Sequence, residues 1–234
     1  MVCYIAVANG RFTDDYCSRF AATYHEYPAG IQHELMVIAQ GGPLPQSTSL
    51  LFSDANAAMW PHPNDPGYDI SAYIDAAKGP CATADIMVCL GETVYFHREG
   101  WLKRLVEAWA KHGPGMYGPF SSNNVRGHLQ TTAFCCHPLM LKQYPVKVQN
   151  RADRMQFEHG ENALWRRLNA RGIPVRMVTW DGEWDHKAWR YPANIIYRGD
   201  QSNTLMWANH SDGFSIADAR RRQSWARTAD QPFR

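Results

Sequence analysis

The residues of this chain best placed to do chemistry fall in four short segments. The first is the polar turn Gly91-Glu92-Thr93, which follows the apolar run from Ile86 to Leu90. Such a run suits a strand covered on both faces, and in α/β sheets ligands bind at the carboxyl ends of those strands. The second holds Glu158 and Glu161, the latter opening a helical pattern over residues 160–171 that Gly172 ends. A carboxylate at a helix start either stabilises the positive end of the helix dipole or, over a ligand edge, takes a proton from a hydroxyl. The third is Asp69, at the head of another helical pattern, where it serves as an N-cap or as a ligand contact. The fourth runs from Trp180 to Arg190 and combines three Trp with three carboxylates and His186.

The elements that must position these groups can be read from hydrophobic periodicity. Residues 3–8 form a first strand, Asn9-Gly10 a turn, and a helix starts near Thr13. Thr13 is the expected N-cap, Asp14 and Asp15 suit the first turn, and Phe12 can staple to Tyr16 or Cys17. Tyr16, Phe20 and Tyr24 recur on one face as a buried stripe, and the helix stops near residues 28–30. A second strand over residues 34–39 completes a strand–helix–strand opening, which predicts a parallel pair with a right-handed crossover. Residues 43–67 read as polar loop with a short strand at 50–52. A helix over 67–77 leads into the strand at 86–90, and another over 101–111 shows Trp101, Leu102, Leu105, Val106 and Trp109 on one face. Short strands follow at 116–120 and 131–135, separated by a polar loop. Short helices at 138–143 and 153–157, a longer one at 160–171, a strand at 175–180 and a final helix from Ser215 complete the pattern. This alternation is that of an α/β protein.

Composition narrows the function classes. With 234 residues, 45% apolar and 20% charged, the chain is an ordinary globular protein of one domain's size. The formal charge of +2, from 24 basic and 22 acidic residues, is not the balance of a general nucleic-acid binder. Charge is uneven, however: residues 220–234 hold five Arg and one Asp, which suits a solvated helix face or contact with phosphates or an anionic surface. Nine Trp and eleven Tyr supply faces for core packing or for stacking on rings. Six Cys show no Cys-x-x-Cys spacing, so reduced thiols in a cytoplasmic protein are expected. Residues 2–8 lack a basic leader and are too short for a membrane span. No Gly-x-Gly-x-x-Gly or Walker-type sequence is present, which argues against dinucleotide and ATP sites of those types.

The stretch from Ala84 to Leu102, in which Asp85 and an apolar run precede Gly91-Glu92-Thr93 and then Gly100-Trp101-Leu102, resembles the metal-site segment of nucleotide-sugar glycosyltransferases of the GT-A fold. Aligned on Asp85, that family's Asp-x-Asp positions become Gly91, Glu92 and Thr93. A second segment is similar to the large inverting group of these enzymes through Glu161, Leu164, Arg167, Leu168 and Gly172. The resemblance covers most of residues 3–180. It implies a GT-A-like, Rossmann-type mixed and mostly parallel sheet flanked by helices. It further implies one catalytic domain over 1–234, with a donor half at 1–112, an acceptor half at 113–180 and a C-terminal loop and helix at 181–234. The implied general base is Glu161, with Glu158 as the fallback. Ala8, Asn9, Arg11, Asp69 and Glu92 stand at the positions that hold the nucleotide of a donor such as a uridine-diphosphate sugar. Gln130, Thr131 and Trp184 stand at acceptor positions, and the Trp180–Arg190 segment would act as a lid over the sugar or as a loop pinned by its Trp residues.

The family's Mn²⁺ or Mg²⁺ normally needs hard carboxylate oxygens. Here Glu92 offers one, with His210 as a further ligand from the C-terminal loop. The alternative is a metal-independent enzyme in which Arg98, Arg190 or Arg198 neutralises the leaving diphosphate. The acceptor is a glycan or another hydroxyl compound, and a hydroxylated base in phage DNA also fits the compact chain and the Arg-rich C-terminus. Two rival readings remain open: a catalytically degenerate sugar- or nucleotide-binding protein, favoured by the replaced Asp-x-Asp carboxylates, and a sugar-nucleotidyltransferase.

Overall fold

A computed structural model of the protein describes residues 1–8, 10–63, 68–122 and 127–230. Its elements, in chain order, begin with β1 (Val2–Val7), α1 (Thr13–Glu26), β2 (Leu35–Gln40), α2 (Gln46–Leu50), β3 (Ala58–His62), α3 (Tyr68–Lys78) and β4 (Met87–Leu90). Next come α4 (Trp101–His112), β5 (Met116–Gly118), β6 (Ser121–Ser122), β7 (His128–Leu129), β8 (Ala133–Cys136), α5 (Pro138–Lys142) and α6 (Arg151–His159). The chain closes with α7 (Leu164–Ala170), β9 (Val175–Val178), β10 (Glu183–Trp184), α8 (Asn209–Ile216) and α9 (Ala219–Asp230).

Eight strands form one mixed sheet in the order β10-β9-β5-β8-β4-β1-β2-β3. The pairs β1–β2, β2–β3, β1–β4 and β5–β9 are parallel. Strand β8 runs antiparallel to both β4 and β5, and β10 runs antiparallel to β9. The fold is therefore the helix-flanked, mostly parallel α/β sheet that the pattern implies. Alternation along β1 divides the core between its two faces. Val2, Tyr4 and Ala6 pack with Phe20 of α1 and with Trp101, Leu102 and Leu105 of α4. Cys3 and Ile5 pack with Tyr73 of α3, Leu141 of α5 and Leu164 and Trp165 of α7. On the first face Tyr4 stacks on Phe20 at 3.8 Å between ring centroids, and Phe96 on Trp101 at 4.1 Å. All six cysteines are free and buried, with the Cys3 and Cys81 sulfurs 3.4 Å apart. Among the described residues no helix is long and apolar enough to cross a membrane.

Several local expectations shift. Thr13 is the first helical residue and not the N-cap; its hydroxyl donates to the Val7 carbonyl and locks α1 to the end of β1. The buried face of α1 is Thr13, Cys17, Phe20 and Ala21, with Tyr16 and Tyr24 only half-buried. Residues 46–50 form a short helix after Pro45 in place of a strand at 50–52. The third strand is instead β3, whose Pro61 lies opposite Ala39 at the sheet edge, where a missing N–H is tolerated. The helix expected from residue 160 begins only at Leu164. Asn150 caps α6 by accepting from the Asp153 N–H at 2.9 Å, and Gly160 closes that helix, so Glu161 stands in the turn between the two. The final helix starts after Asp218, whose side chain accepts from the Arg221 N–H at 2.8 Å, and Ser215 belongs to the helix before it.

Candidate functional site

The carboxyl ends of β1 and β4 lie side by side, because the two strands are parallel neighbours. Beyond β4 the Gly91 N–H donates to the Thr132 carbonyl at 2.8 Å. A Cβ at Gly91 would sit 3.1 Å from that same oxygen, so a side chain there would require Thr132 to give way by a few tenths of an ångström. The Tyr4 hydroxyl, rising from the core, donates to the Glu92 carbonyl at 2.8 Å and fixes the turn. The Glu92 side chain lies over the exit of β1, its Oε1 3.5 Å from the place a Cβ would take on Gly10. Burial raises the Glu92 carboxyl, with a hydrogen bond to the Val7 backbone acting against it. Ala8 is buried and donates its N–H to Gln40 at 2.7 Å. Arg11 is exposed, with its guanidinium 5.0 Å from the Phe12 ring centre. Asn9 lies outside the described residues.

A second cluster gathers around Glu158. Helix α3 starts at this same edge, since it returns the chain from β3 to the foot of parallel β4. Its first-turn Asp69 accepts from its own Ile70 N–H at 3.1 Å and from the Arg154 Nε at 2.9 Å. Burial works against the Arg154 charge, but Asp69 and then Glu158 outweigh it and hold the guanidinium protonated. Glu158, one helical turn after Arg154, accepts from the Thr131 N–H at 3.1 Å and lies 3.9 Å from the His128 Nε2, with 14% of its side chain exposed. His210 meets the Phe120 ring edge-on at 4.6 Å. Burial pushes its pKa down to about 4, against the pull of Asp212 and Glu158, so the imidazole is neutral at pH 7. Four buried polar atoms here have no hydrogen-bond partner among the described residues: Tyr73 Oη, Gln130 Oε1, Thr131 Oγ1 and His210 Nε2. Orphaned polar atoms at one edge are what a polar ligand would satisfy.

Asp69, Glu158, Thr131 and His210 are thus brought to one place, with Gln130 beside Thr131. Glu161 is not: it is exposed in the turn past Gly160. Trp184 is not either. Its indole N–H donates to Thr179 at 2.8 Å and its ring packs against the second face of the core. The whole Trp180–Arg190 segment is held down. Trp189 is fully buried and donates to the Trp184 carbonyl at 2.8 Å, while Glu183 pairs with Arg104 at 2.6 Å and Lys111 at 2.7 Å. These are the features of a pinned loop, not of a lid. Sequence reasoning missed Arg154 and His128. The four-residue spacing of Arg154 and Glu158 on one helix was a usable signal, whereas the Asp69–Arg154 pair, 85 residues apart, was not.

The described residues do not fit a protein-held divalent cation. Two candidate partners for Glu92 are already engaged: Asp212 by Arg19 at 2.7 Å and by the Tyr95 hydroxyl, and Asp69 by Arg154. Among the described residues there is no group of three or more His, Cys, Asp or Glu able to hold a metal ion. As for the candidate cations, Arg98 lies 4.4 Å over the Trp180 ring, Arg190 bonds Tyr191, and Arg198 pairs with Asp230.

No protein-family model matches the sequence, and no curated protein matches it. Among solved structures, the chain is similar to a cytidylyltransferase from Leptospira borgpetersenii at 13% identity and a TM-score of 0.43, covering 61% of this chain and 62% of that one. It is similar to TarS from S. aureus at 12% identity and a TM-score of 0.47, covering 66% of this chain and 32% of TarS. A third is a CMP:2-keto-3-deoxy-manno-octonic acid synthetase complexed with CTP, at 12% identity and a TM-score of 0.48, covering 76% of this chain and 88% of that one. The chain therefore spans less than two thirds of the length of the first two.

Proposed function

We propose that the protein transfers a sugar from a nucleotide-diphosphate donor to an acceptor hydroxyl, with Glu158 as the general base. The observation that carries this reading is the position of Glu158. It is a largely buried carboxylate at the ligand edge of an α/β sheet, beside four unpartnered polar atoms, with Arg154 and Asp69 holding its surroundings. In this reading the nucleotide lies across the ends of β1 and β4, against Ala8 and Glu92. The acceptor hydroxyl approaches Thr131 and Glu158. As its oxygen bonds to the anomeric carbon, the bond to the nucleotide diphosphate breaks and the hydroxyl proton passes to Glu158, giving inversion. Neutral His210 can donate or accept one hydrogen bond to the sugar or the acceptor. No step is routed through a metal ion.

A second reading is favoured by one observation: a Cβ at Gly91 would crowd the Thr132 carbonyl at 3.1 Å, so the turn departs from the Asp-x-Asp frame in its packing as well as in its residues. This suits a nucleotide-binding protein without transfer, or a nucleotidyltransferase. The test is nucleotide binding by calorimetry, followed by mass spectrometry of the products. Nucleoside diphosphate binding that weakens about fivefold in Glu92→Ala, for a lost hydrogen bond of about 1 kcal/mol, with slow donor hydrolysis, supports transfer. Binding without turnover supports the degenerate reading, and pyrophosphate release from a nucleoside triphosphate with a sugar phosphate supports the nucleotidyltransferase. Absence of any nucleotide binding overturns all three.

A further inference from the structure

A pocket of about 300 Å³ opens at the opposite edge of the sheet, far from the ends of β1 and β4. Its walls come from α5, α7 and the segments that lead into β5 and β9, all at the amino ends of those parallel strands. Leu139, Leu164 and Ile173 give it an apolar lining. Leu139 is 46% exposed, so part of its apolar surface is open to an occupant. Arg167, Arg171, Tyr144, His137 and Gln143 add polar groups to the same lining. Arg167 and Arg171 stand four residues apart on one side of the chain at α7, and neither has a carboxylate partner among the described residues. Tyr144 is buried, with 9% of its surface exposed, and its hydroxyl has no hydrogen-bond partner among the described residues. Burial pushes the Tyr144 phenol up to about 12, with Arg167 pulling it the other way, so at neutral pH it is a proton donor. An apolar cleft of this size with a few convergent polar groups has the composition of a small-molecule site. Among these groups the two guanidiniums are cations that only donate, which favours an anion.

We propose that this pocket binds an anionic amphiphile, a compound with one carboxylate or phosphate head on an unbranched apolar chain. The head is held by Arg167 and Arg171, and the chain lies along Leu139, Leu164 and Ile173. The site is separate from the candidate transfer site and does not depend on the function assigned there.

The test is calorimetric titration of the whole protein with decanoate, decyl phosphate and decanol, each below the concentration at which it forms micelles. Decanoate or decyl phosphate should bind with one-to-one stoichiometry and at least tenfold more tightly than decanol; the tighter of the two anions identifies the head. Both Arg side chains are exposed, so Arg167→Ala with Arg171→Ala should fold normally, weaken the anion at least tenfold and leave decanol unchanged. Leu139→Asp should weaken all three compounds. A saturating nucleoside diphosphate should leave the titration unaltered. The proposal is overturned by absence of saturable binding, by equal affinity for decanol and the anions, or by variants that bind as the parent does.

Discussion

Glu158 and Glu161 lie three residues apart, yet their surroundings give them different chemistry. Glu158 is anchored by the Thr131 N–H and faces His128, while Glu161 is exposed beyond the end of α6. A proton acceptor must reach its proton within about 3 Å, so location decides before acidity does. Glu158→Gln is expected to lower turnover by roughly 10²–10⁴-fold with little change in nucleotide affinity, and Glu161→Gln to stay near the parent rate. Steady-state kinetics of the two variants decide it: the reverse pattern would return the base to Glu161. Asp69 carries a second lesson at this scale. Its pairing with Arg154 means that Asp69→Ala removes a structural contact as well as any contact with a ligand. The variant should lose about 1–3 kcal/mol of stability in urea titrations before any nucleotide is added. Unchanged stability would mean that the pair contributes nothing to the fold.

Two elements explain why the edge looks as it does. The turn after β4 is pressed against the lead-in to β8, with the Gly91 N–H bonded to Thr132 and a Cβ there only 3.1 Å from the Thr132 carbonyl oxygen. Gly91→Asp, which would restore one carboxylate of the Asp-x-Asp pattern, should therefore destabilise the protein by about 1–3 kcal/mol without creating tight Mn²⁺ binding. Calorimetric Mn²⁺ titration of a stably folded Gly91→Asp protein, if it showed micromolar affinity, would contradict the packing argument. The short strand β10 is held differently, by charge. Burial alone would raise the Glu183 carboxyl, but hydrogen bonds from Lys111 and Arg104 outweigh it and bring the pKa from 4.5 to about 2. Because the folded value lies below the unfolded one, this stabilisation is complete above about pH 4.5 and is lost as the pH falls toward 2. Glu183→Gln should cost about 1–3 kcal/mol at pH 7 and flatten the stability curve between pH 4.5 and 2. A variant that followed the parent curve throughout that window would remove the cluster from the account.

Across the whole molecule, stability is concentrated in the two faces of the sheet and thins toward the C-terminus. Trp101 is fully buried and stacked on Phe96, whereas α9 has no buried residue and meets the rest of the chain through Trp225 and Ala229, against the cluster of Tyr197 and Phe214, and through the Asp230 pair with Arg198. Trp101→Ala should cost about 3–5 kcal/mol, and Trp225→Ala about 1 kcal/mol or less, by equilibrium denaturation. Comparable losses would show that α9 is part of the main cooperative unit. The same contrast marks what could be read without the structure. The alternation of elements, the strands at the start of the chain and before Gly91, and the helix carrying Trp101 are legible because apolar periodicity is local and each run is long enough to express it. Helix ends were legible where a cap declared itself, as at Gly172, and were missed at Asn150, which starts α6 ahead of residue 153, and at Gly160, which closes α6 and leaves α7 to begin at Leu164. By itself the sequence determined an α/β sheet with a polar edge at Glu92. Tertiary structure alone decided that Glu158 and not Glu161 faces that edge, that Asp69 is held by Arg154, and that a side chain at Gly91 would crowd Thr132. Each of those depends on burial and on partners distant in the chain, which no local pattern of residue types encodes.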